Sequence, residues 1–281
     1  MNNRPYILIV NDDGVYAPGI KHLWNILSQI ADVVVVAPAS EQSAVSLSIT
    51  IRHPLRIEKI EWPFAKEAKV WSINGTPADC VKLALSVILP QTPQLIVSGI
   101  NRGSNAGKNV LYSGTVAGVI EGVLHNIPGI ALSVADYFNP CYEVADIYIP
   151  SIVQYALHHP LPPGTLLNVN FPTHLEEGIK GIRFARQGQE YWTENPEQRK
   201  HPAEGSSYYW LGAKLAQYDE HNDSDIVLMR EGYATVVPIR VGDLTHYSLL
   251  EQYKSQFDNF VNLPCKNAVD NSMESTSDLV Y

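Results

Sequence analysis

Two adjacent carboxylates near the N-terminus are the residues most suited to metal chemistry. Asp12 and Asp13 follow the aliphatic run at residues 7–10, which is short, rich in β-branched residues and predicted to be a strand buried on both faces. In α/β sheets, ligands bind in the crevice outside the carboxyl ends of such strands. Neighbouring carboxylates repel each other, and a bound cation relieves that repulsion. The pair therefore predicts a metal site; the alternative is an ordinary Asn-Asp-Asp-Gly turn.

A glycine-rich stretch at residues 97–108 is the second candidate, because it also follows a predicted buried strand. If the strands are parallel, it lies at the same edge of the sheet as Asp12 and Asp13. Its glycines allow successive backbone N–H groups to turn toward an anion. Asn101 and Asn105 can each offer an oxygen to a metal or an amide N–H to an anion. The alternative is a surface loop, but a long loop in this position is more often functional.

The helix predicted after this stretch begins at residues that can bind a phosphate. Its first residues are Ser113, Gly114 and Thr115, where free backbone N–H groups and the helix dipole favour an anion. We therefore expect these three residues to form the substrate-binding positions together with Asn105.

The two stretches together predict a metal site built of oxygen atoms. Asp12 and Asp13 supply negative charge, and Asn101 supplies a neutral carbonyl oxygen. Ser43, which follows a second predicted strand at 32–37, can add a hydroxyl oxygen. Because these loops contain neither His nor Cys, Mg²⁺ or Mn²⁺ fits better than zinc, and Ca²⁺ is a further hard cation that fits. A hard cation facing an anion-binding loop is the arrangement that holds and polarises a phosphoryl group.

Composition limits the classes of partner. The chain has 281 residues, and its 20 basic and 29 acidic side chains give a net charge of −9, which argues against binding duplex nucleic acid or anionic membranes. Three cysteines without CxxC spacing favour a reducing compartment. No apolar run resembles a signal peptide or approaches the roughly 20 residues of a membrane span. We therefore expect a cytoplasmic protein.

Strand and helix patterns alternate from residue 6 to about residue 171. This alternation predicts an α/β fold, a Rossmann-like, doubly wound, mostly parallel sheet with helices on both faces. Thr76, Pro77 and Asp79 form a helix-start signature of the capping-box type. The other predicted elements are helices at 20–30 and 115–126 and strands at 32–37, 49–57, 70–73, 95–98 and 130–134.

The pattern changes after residue 171. Strands are predicted at 181–186 and 233–239, with long hairpins between them and a helix at 248–260. The aromatic run 208–210 favours a subunit interface, with a local mini-core as the alternative. We predict a catalytic core at 1–175, a hairpin-rich C-terminal oligomerisation extension at 176–261 and a disordered tail at 262–281.

Five motifs in this order resemble the SurE family, the stationary-phase survival 5′/3′-nucleotidases, over roughly residues 6–260. The motifs are Ile-Leu-Ile-Val-Asn-Asp-Asp-Gly at 7–14, Ala-Pro through Ser at 37–43, Asn-Gly-Thr-Pro-Ala-Asp-Cys at 74–80, Ser-Gly-Ile-Asn at 98–101 and Tyr-Ser-Gly-Thr at 112–115. The resemblance implies metal-dependent phosphatase activity on nucleoside monophosphates. It also implies a Rossmann-like fold whose C-terminal extension is exchanged between subunits of a homodimer or homotetramer.

The resemblance carries specific roles onto matching positions. The family's metal ligands match Asp12, Asp13, Ser43 and Asn101. These are the same four residues that the chemistry of the loops suggests. Asn105 and Ser113 match its phosphate-contacting positions. One departure is the segment 39–42, where family members usually carry more charge, often an Arg. The acidic, serine-rich tail also lies outside the family pattern.

The predicted reaction is metal-assisted hydrolysis of a phosphomonoester, with Asp13, Asn105 and Ser113 as catalytic residues. The sequence leaves open whether water or Asp13 attacks phosphorus, which base is preferred, and whether 5′ or 3′ phosphates are cleaved. A response-regulator receiver is disfavoured because no phospho-accepting Asp follows the strand at 70–73. A dinucleotide-binding oxidoreductase is disfavoured because G-x-G-x-x-G is missing after the first strand. A non-catalytic metal- and nucleotide-binding sensor on the same fold remains the alternative.

Overall fold

The computed structural model describes residues 4–173 and 178–261 of the chain. The chain divides into two compact units, Met1–Gly242 and Asp243–Tyr281. The tail predicted at 262–281 lies outside the described residues. No helix in the described part of the chain is both long and apolar enough to cross a membrane.

The first unit carries the strands and most of the helices. The strands are β1 (Tyr6–Val10), β2 (Asp32–Pro38), β3 (Ile57–Trp62), β4 (Ala65–Ile73), β5 (Leu95–Arg102), β6 (Gly129–Val134), β7 (Thr165–Phe171), β8 (Ile182–Phe184), β9 (Tyr191–Thr193), β10 (Glu197–Lys200), β11 (Ser207–Trp210), β12 (Lys214–Ala216) and β13 (Ala234–Arg240). The helices are α1 (Pro18–Leu27), α2 (Pro77–Leu83), α3 (Gly114–Leu124), α4 (Ile149–His158) and α5 (Asp225–Arg230), and the second unit contains α6 (Tyr247–Val261).

Nine strands form one sheet in the order β3-β4-β2-β1-β5-β6-β7-β13-β8. Within this order, the six consecutive strands β4, β2, β1, β5, β6 and β7 are parallel to one another. At the two sides, β3 runs antiparallel to β4 and β13 runs antiparallel to β7. The chain leaves β1 toward β2 on one side and later returns to place β5 on the other, so β1 is the topological switch point. The prediction of a doubly wound, mostly parallel α/β fold is confirmed.

Strand β1 is buried on both faces, as its aliphatic run predicts. Ile7 and Ile9 belong to the core beneath α1 and α4, whereas Leu8 and Val10 belong to the core on the α2 side. This alternation follows from the two-residue period of a strand and requires apolar residues at every position. The switch-point strand is thus fixed by packing on both sides, and the residues that follow it are placed accordingly.

The strand predicted at 49–57 is wrong. Residues 49–56 form no strand, and β3 begins only at Ile57. Within this segment Thr50 N donates to the side chain of Asp79 (Oδ1, 2.9 Å) instead of to a neighbouring strand, and just before it Ser48 O accepts from Thr76 Oγ1 (2.7 Å). The capping box at Thr76 and Asp79 is confirmed, and it takes this segment away from the sheet.

The predicted strands at 181–186 and 233–239 are confirmed as β8 and β13, and the helix predicted at 248–260 is confirmed as α6. Because β13 pairs with β7, part of the predicted extension completes the central sheet. Between β8 and β13, β10 pairs with β11 and β9 pairs with β12 as two antiparallel ribbons. The aromatic run in β11 is exposed to solvent.

Candidate metal and phosphate site

The end of β1 meets the start of α3. Asp12 is only 5% exposed, and its Oδ1 accepts a hydrogen bond of 2.5 Å from Thr115 Oγ1. A Cβ at Gly114 would lie 2.8 Å from both Cβ and Oδ2 of Asp12, so only glycine lets the helix approach this closely. The structure therefore brings Asp12 together with two of the predicted substrate-binding residues.

Asp12 is a buried carboxylate whose hydrogen-bond donors do not offset the cost of its burial. Its pKa is raised from 3.8 to about 7, mainly by burial and also by the neighbouring Asp13 charge, although hydrogen bonds from the Thr115 side chain and from the backbone of Asp12 and Thr115 oppose the rise. A carboxylate in this setting ionises near neutral pH and gains much from a cation placed beside it. This is the electrostatic condition for a metal site, whose charge offsets the desolvation of the carboxylate.

Asp13 lies in an ion-pair network that sequence reasoning missed. Its Oδ1 is 3.5 Å from Arg102 Nε, and Arg102 also binds Glu41 through a 2.7 Å contact. Burial raises the pKa of Asp13, and Arg102 opposes that rise. Arg102 directly follows Asn101, and Glu41 lies two residues before Ser43, so adjacency to predicted ligands was the available signal. One guanidinium shared by two carboxylates leaves net negative charge at this edge.

The two neutral candidates for metal ligation are held differently. The amide nitrogen of Asn101 donates to Gly103 O (2.7 Å), so its carbonyl oxygen is the end left for a metal. Ser43 is exposed, and its Oγ donates to Glu41 Oε1 (2.6 Å). Ser43 is therefore linked to Asp13 through Glu41 and Arg102. The backbone of this segment also reaches β1, since Gln42 N donates to Asp12 O (2.7 Å).

The predicted phosphate-contacting Asn105 is held by a buried polar layer. Its backbone N–H donates to Asn170 Oδ1 (2.8 Å), and its backbone oxygen accepts from Asn168 Nδ2 (3.0 Å). Its side-chain nitrogen donates to Ser133 Oγ (2.8 Å), and Ser133 is the register partner of Asn101 on the neighbouring strand. This layer places Asn105 beside the Asn101 strand end. The alternating Asn residues in an otherwise apolar β7 were the sequence signal for it.

Ser113 caps α3. Its Oγ accepts a 3.1 Å hydrogen bond from Val116 N, as expected of an N-cap serine. The hydroxyl keeps its own proton for donation to an anion. The start of α3 thus offers the Ser113 hydroxyl and the backbone N–H group of Gly114 next to Asp12, whereas the N–H group of Thr115 is turned to the Asp12 carboxylate.

The predicted C-terminal extension contacts the loop that follows Asn105. Gly107 N donates to Asp225 Oδ2 (2.9 Å), Lys108 N donates to Glu190 O (2.9 Å), and Trp192 N donates to Asn109 Oδ1 (3.0 Å). These bonds join residues that lie far apart in the sequence. The predicted extension therefore supports the candidate site as well as the sheet edge.

The donor set fits a hard cation. Within residues 4–173 and 178–261, no three His, Cys, Asp or Glu side chains come together as a metal cluster. The available donors are two carboxylates, an amide and a hydroxyl, all of them oxygen ligands. Asn11 Oδ1, beside Asp12, is buried without a hydrogen-bond partner in the described part of the chain. A buried carboxylate with a raised pKa and a buried oxygen without a partner in the next residue are both groups that a nearby cation would stabilise.

Fold and site together define a doubly wound α/β protein with an acidic, oxygen-lined site at the switch point of its sheet. The family model described as "Survival protein SurE" matches residues 7–194. The chain belongs to the SurE family.

Relatives resemble the chain along most of its length. A protein of Protochlamydia amoebophila named 5′-nucleotidase SurE is 62% identical over 262 residues, which cover 93% of this chain and 100% of that protein. One of Flavobacterium psychrophilum with the same name is 43% identical, covering 88% and 96%. The crystal structure of the SurE protein from Aquifex aeolicus is 38% identical, with a TM-score of 0.77 and coverage of 90% and 100%.

Proposed function

We propose that this chain is a metal-dependent 5′-nucleotidase, a phosphomonoesterase that hydrolyses nucleoside 5′-monophosphates to nucleoside and phosphate. One observation carries the proposal: the buried Asp12 carboxylate, with a pKa near 7, lies beside Asp13 and the N-terminus of α3. Such a site suits a cation and a phosphate together. Family membership and the relatives named 5′-nucleotidase SurE support it.

One divalent cation per subunit, Mg²⁺ or Mn²⁺, would be held by Asp12, Asp13, Asn101 and Ser43. When bound, it supplies Lewis-acid polarisation of a phosphate oxygen and charge to offset the two carboxylates. Ser43 would turn from Glu41 toward the cation. Thr115, through its hydrogen bond, holds the Asp12 carboxylate in one orientation.

The remaining residues bind and stabilise the phosphoryl group. Ser113, the N–H group of Gly114 and the side-chain amide of Asn105 are donors for the equatorial oxygens, where charge develops as the ester bond breaks, while Thr115 holds Asp12. The buried layer of Asn168, Asn170 and Ser133 fixes Asn105. Such prior positioning avoids reorganisation during the reaction.

The test is phosphate release from AMP with increasing Mn²⁺ or Mg²⁺, with a chelator as control. We expect turnover that depends on metal and stops on chelation. Comparison of 5′-AMP with 3′-AMP then gives the position specificity. If AMP binds and no phosphate is released with any divalent metal, the chain is the non-catalytic sensor instead.

We further propose a cytoplasmic homodimer or homotetramer whose contacts involve residues 176–261. The support is the β10–β11 ribbon, where Tyr208, Tyr209 and Trp210 are exposed, because such residues are enriched at interface centres. Deletion of residues 197–210 should release monomers. It retains Glu190, whose backbone supports the loop at Lys108. Light scattering would contradict the proposal if the deletion left the oligomer unchanged or if the intact chain were a monomer.

A further inference from the structure

A cavity of about 280 Å³ opens beside Asp13. Arg102, which pairs with Asp13, forms part of its wall, so the cavity adjoins the candidate metal site. Most of the remaining lining is apolar or aromatic. The aromatic residues of the lining are Tyr137, Phe138 and Tyr142.

Two aromatic rings of the loop after β6 stand at this cavity. Phe138 is 86% exposed and Tyr137 is 47% exposed, although contact of large aromatic rings with water is unfavourable. The rings meet edge to face, with centroids 5.3 Å apart and an interplanar angle of 86°. The Arg102 guanidinium lies over the Tyr137 ring at 4.9 Å. The pair is thus tied to the residue that contacts Asp13.

The loop that carries the rings is held by hydrogen bonds. Asp136 Oδ1 accepts the backbone N–H groups of Phe138 and Asn139, each at 2.9 Å. Ala135 N donates to Phe171 O (2.9 Å), which fixes the loop to the end of β7. The rings are therefore presented by an ordered loop, and their exposure is built into the fold.

We propose that this cavity is the nucleoside subsite, and that the nucleobase stacks on Phe138 and Tyr137. The inference rests on the proposed function, because a nucleoside monophosphate with its phosphate at Asp13 must place its sugar and base nearby. Every nucleobase has an aromatic face, and stacking on exposed rings is the usual way to bind bases without reading their edges. The charged groups of the lining, Asp13 and Arg102, are already paired with each other. Recognition by stacking therefore predicts tolerance among bases, with purines preferred for their larger area.

The test compares AMP with ribose 5-phosphate, which has the same phosphate and sugar without the base. For Phe138→Ala and Tyr137→Ala we expect the KM for AMP to rise about tenfold, with kcat within about twofold. The kcat/KM for ribose 5-phosphate should stay unchanged. Both rings are exposed enough that their removal leaves the core intact. Tyr137→Phe keeps the stacking ring and should restore most of the KM for AMP that Tyr137→Ala loses.

Tyr155→Ala is the matched control, because it removes an exposed aromatic ring on the outer helix α4. It should leave both substrates unaffected. Three outcomes would overturn the subsite: an unchanged KM for AMP in the double variant Tyr137→Ala/Phe138→Ala, an equal loss for both substrates, or conversion of the protein to a smaller oligomer. The last would show that the rings face a second copy of the chain.

Failure of the proposed function would be recognised separately. If the unsubstituted protein releases phosphate from neither compound, the 5′-nucleotidase proposal fails while the subsite remains testable by binding. Calorimetry with adenosine should then show binding to the unsubstituted protein and to Tyr155→Ala, with about tenfold weaker binding to Phe138→Ala. Absence of adenosine binding to the unsubstituted protein would overturn the subsite.

Discussion

Asp12 and Asp225 are both buried aspartates at the start of a loop or helix, but their surroundings differ. Asp225 is fully buried, and its two oxygens accept the N–H groups of Gly107 (2.9 Å), Gly188 (2.8 Å) and Ile226 (2.9 Å). Asp12 receives the Thr115 hydroxyl as its side-chain donor and has Asp13 as its neighbour. Burial raises the pKa of both carboxyl groups, and it raises that of Asp12 to about 7.

The difference distinguishes a structural carboxylate from the one that we propose as a metal ligand. Asp225 links the loop at Gly107, the turn at Gly188 and helix α5, because it accepts hydrogen bonds from their backbone N–H groups. These donors stabilise its charge within the protein. Asp12 is left with charge that the chain itself does not neutralise, at an edge of the sheet where ligands bind. Burial alone does not separate the two carboxylates; their positions in the fold do, because only Asp12 follows the switch-point strand, at the edge of the sheet where ligands bind.

The largest expected effect comes from removing the charge of each carboxylate. Asp12→Asn should lower phosphate release by roughly a thousandfold or more, since it removes an anionic metal ligand. Asp13→Asn should do the same. Without metal, the melting temperature of either variant should hold or rise slightly, because carboxylate repulsion is relieved.

Asp225→Asn is the matched control for these variants. It should lower stability by about 1–3 kcal/mol, since its new amide N–H₂ faces a backbone donor, while metal-dependent turnover persists in the folded fraction. Thermal denaturation with and without Mn²⁺, alongside phosphate release, measures both effects. Full turnover in Asp12→Asn at saturating Mn²⁺ would remove Asp12 from the site.

The second effect is a pH dependence of stability without metal. The pKa of Asp12 is about 7 in the folded protein, and its ordinary value of 3.8 applies to the unfolded chain. Between these two pH values the folded state therefore holds a proton that the unfolded state has released. Stability should therefore fall as pH rises from about 4 to about 7, by up to about 4 kcal/mol.

Urea denaturation in chelator across this range should show a steeper decline for the unsubstituted protein than for Asp12→Asn. Stabilisation by added metal should also be larger at pH 8 than at pH 5, because protons compete with the metal. Parallel pH profiles for the two proteins would show that Asp12 ionises normally.

The third effect separates steric contact at the site from steric contact in the core. Gly114→Ala would place a Cβ 2.8 Å from Asp12 Oδ2, and the displaced carboxylate should cost about a hundredfold in turnover. Gly118→Ala, one turn later in α3, would place its Cβ 3.0 Å from Val10 Cγ1, an apolar neighbour. It should alter stability and keep turnover. Equal losses of turnover in both variants would contradict a specific role for Gly114.

The smallest effect compares two helix caps. Ser113 caps α3 by a bond to Val116 N (3.1 Å), and Ser224 caps α5 by a bond to Val227 N (3.3 Å). Each serine-to-alanine change should cost about 1 kcal/mol of stability. Only Ser113→Ala should also lose about ten- to hundredfold in kcat/KM, through a lost donor to phosphate, with metal affinity unchanged. A collapse of metal affinity in Ser113→Ala would place its hydroxyl on the metal instead.

Local patterns in the sequence were sufficient to predict the architecture and to nominate the residues of the candidate site. The aliphatic run of β1, the alternation of strand and helix, and the capping box at Thr76 are such patterns, set by side-chain period and backbone hydrogen bonding. The family motifs named the expected metal and phosphate residues. The prediction of a strand at 49–57 failed because alternation of residue types does not reveal that the Asp79 side chain accepts the backbone N–H of Thr50.

How those residues are held depends on contacts between segments that are distant in the sequence. Asn170 supports Asn105 from 65 positions away, and Asp225 supports Gly107 from 118 positions away. The contact of Arg102 with Glu41 likewise depends on which strands are neighbours in the sheet. Local preference fixes what a segment forms, whereas strand order and register fix which segments meet, and those follow from burial of the whole core. The charge state of Asp12 is therefore a property of the folded chain, although its identity is written in the first thirteen residues.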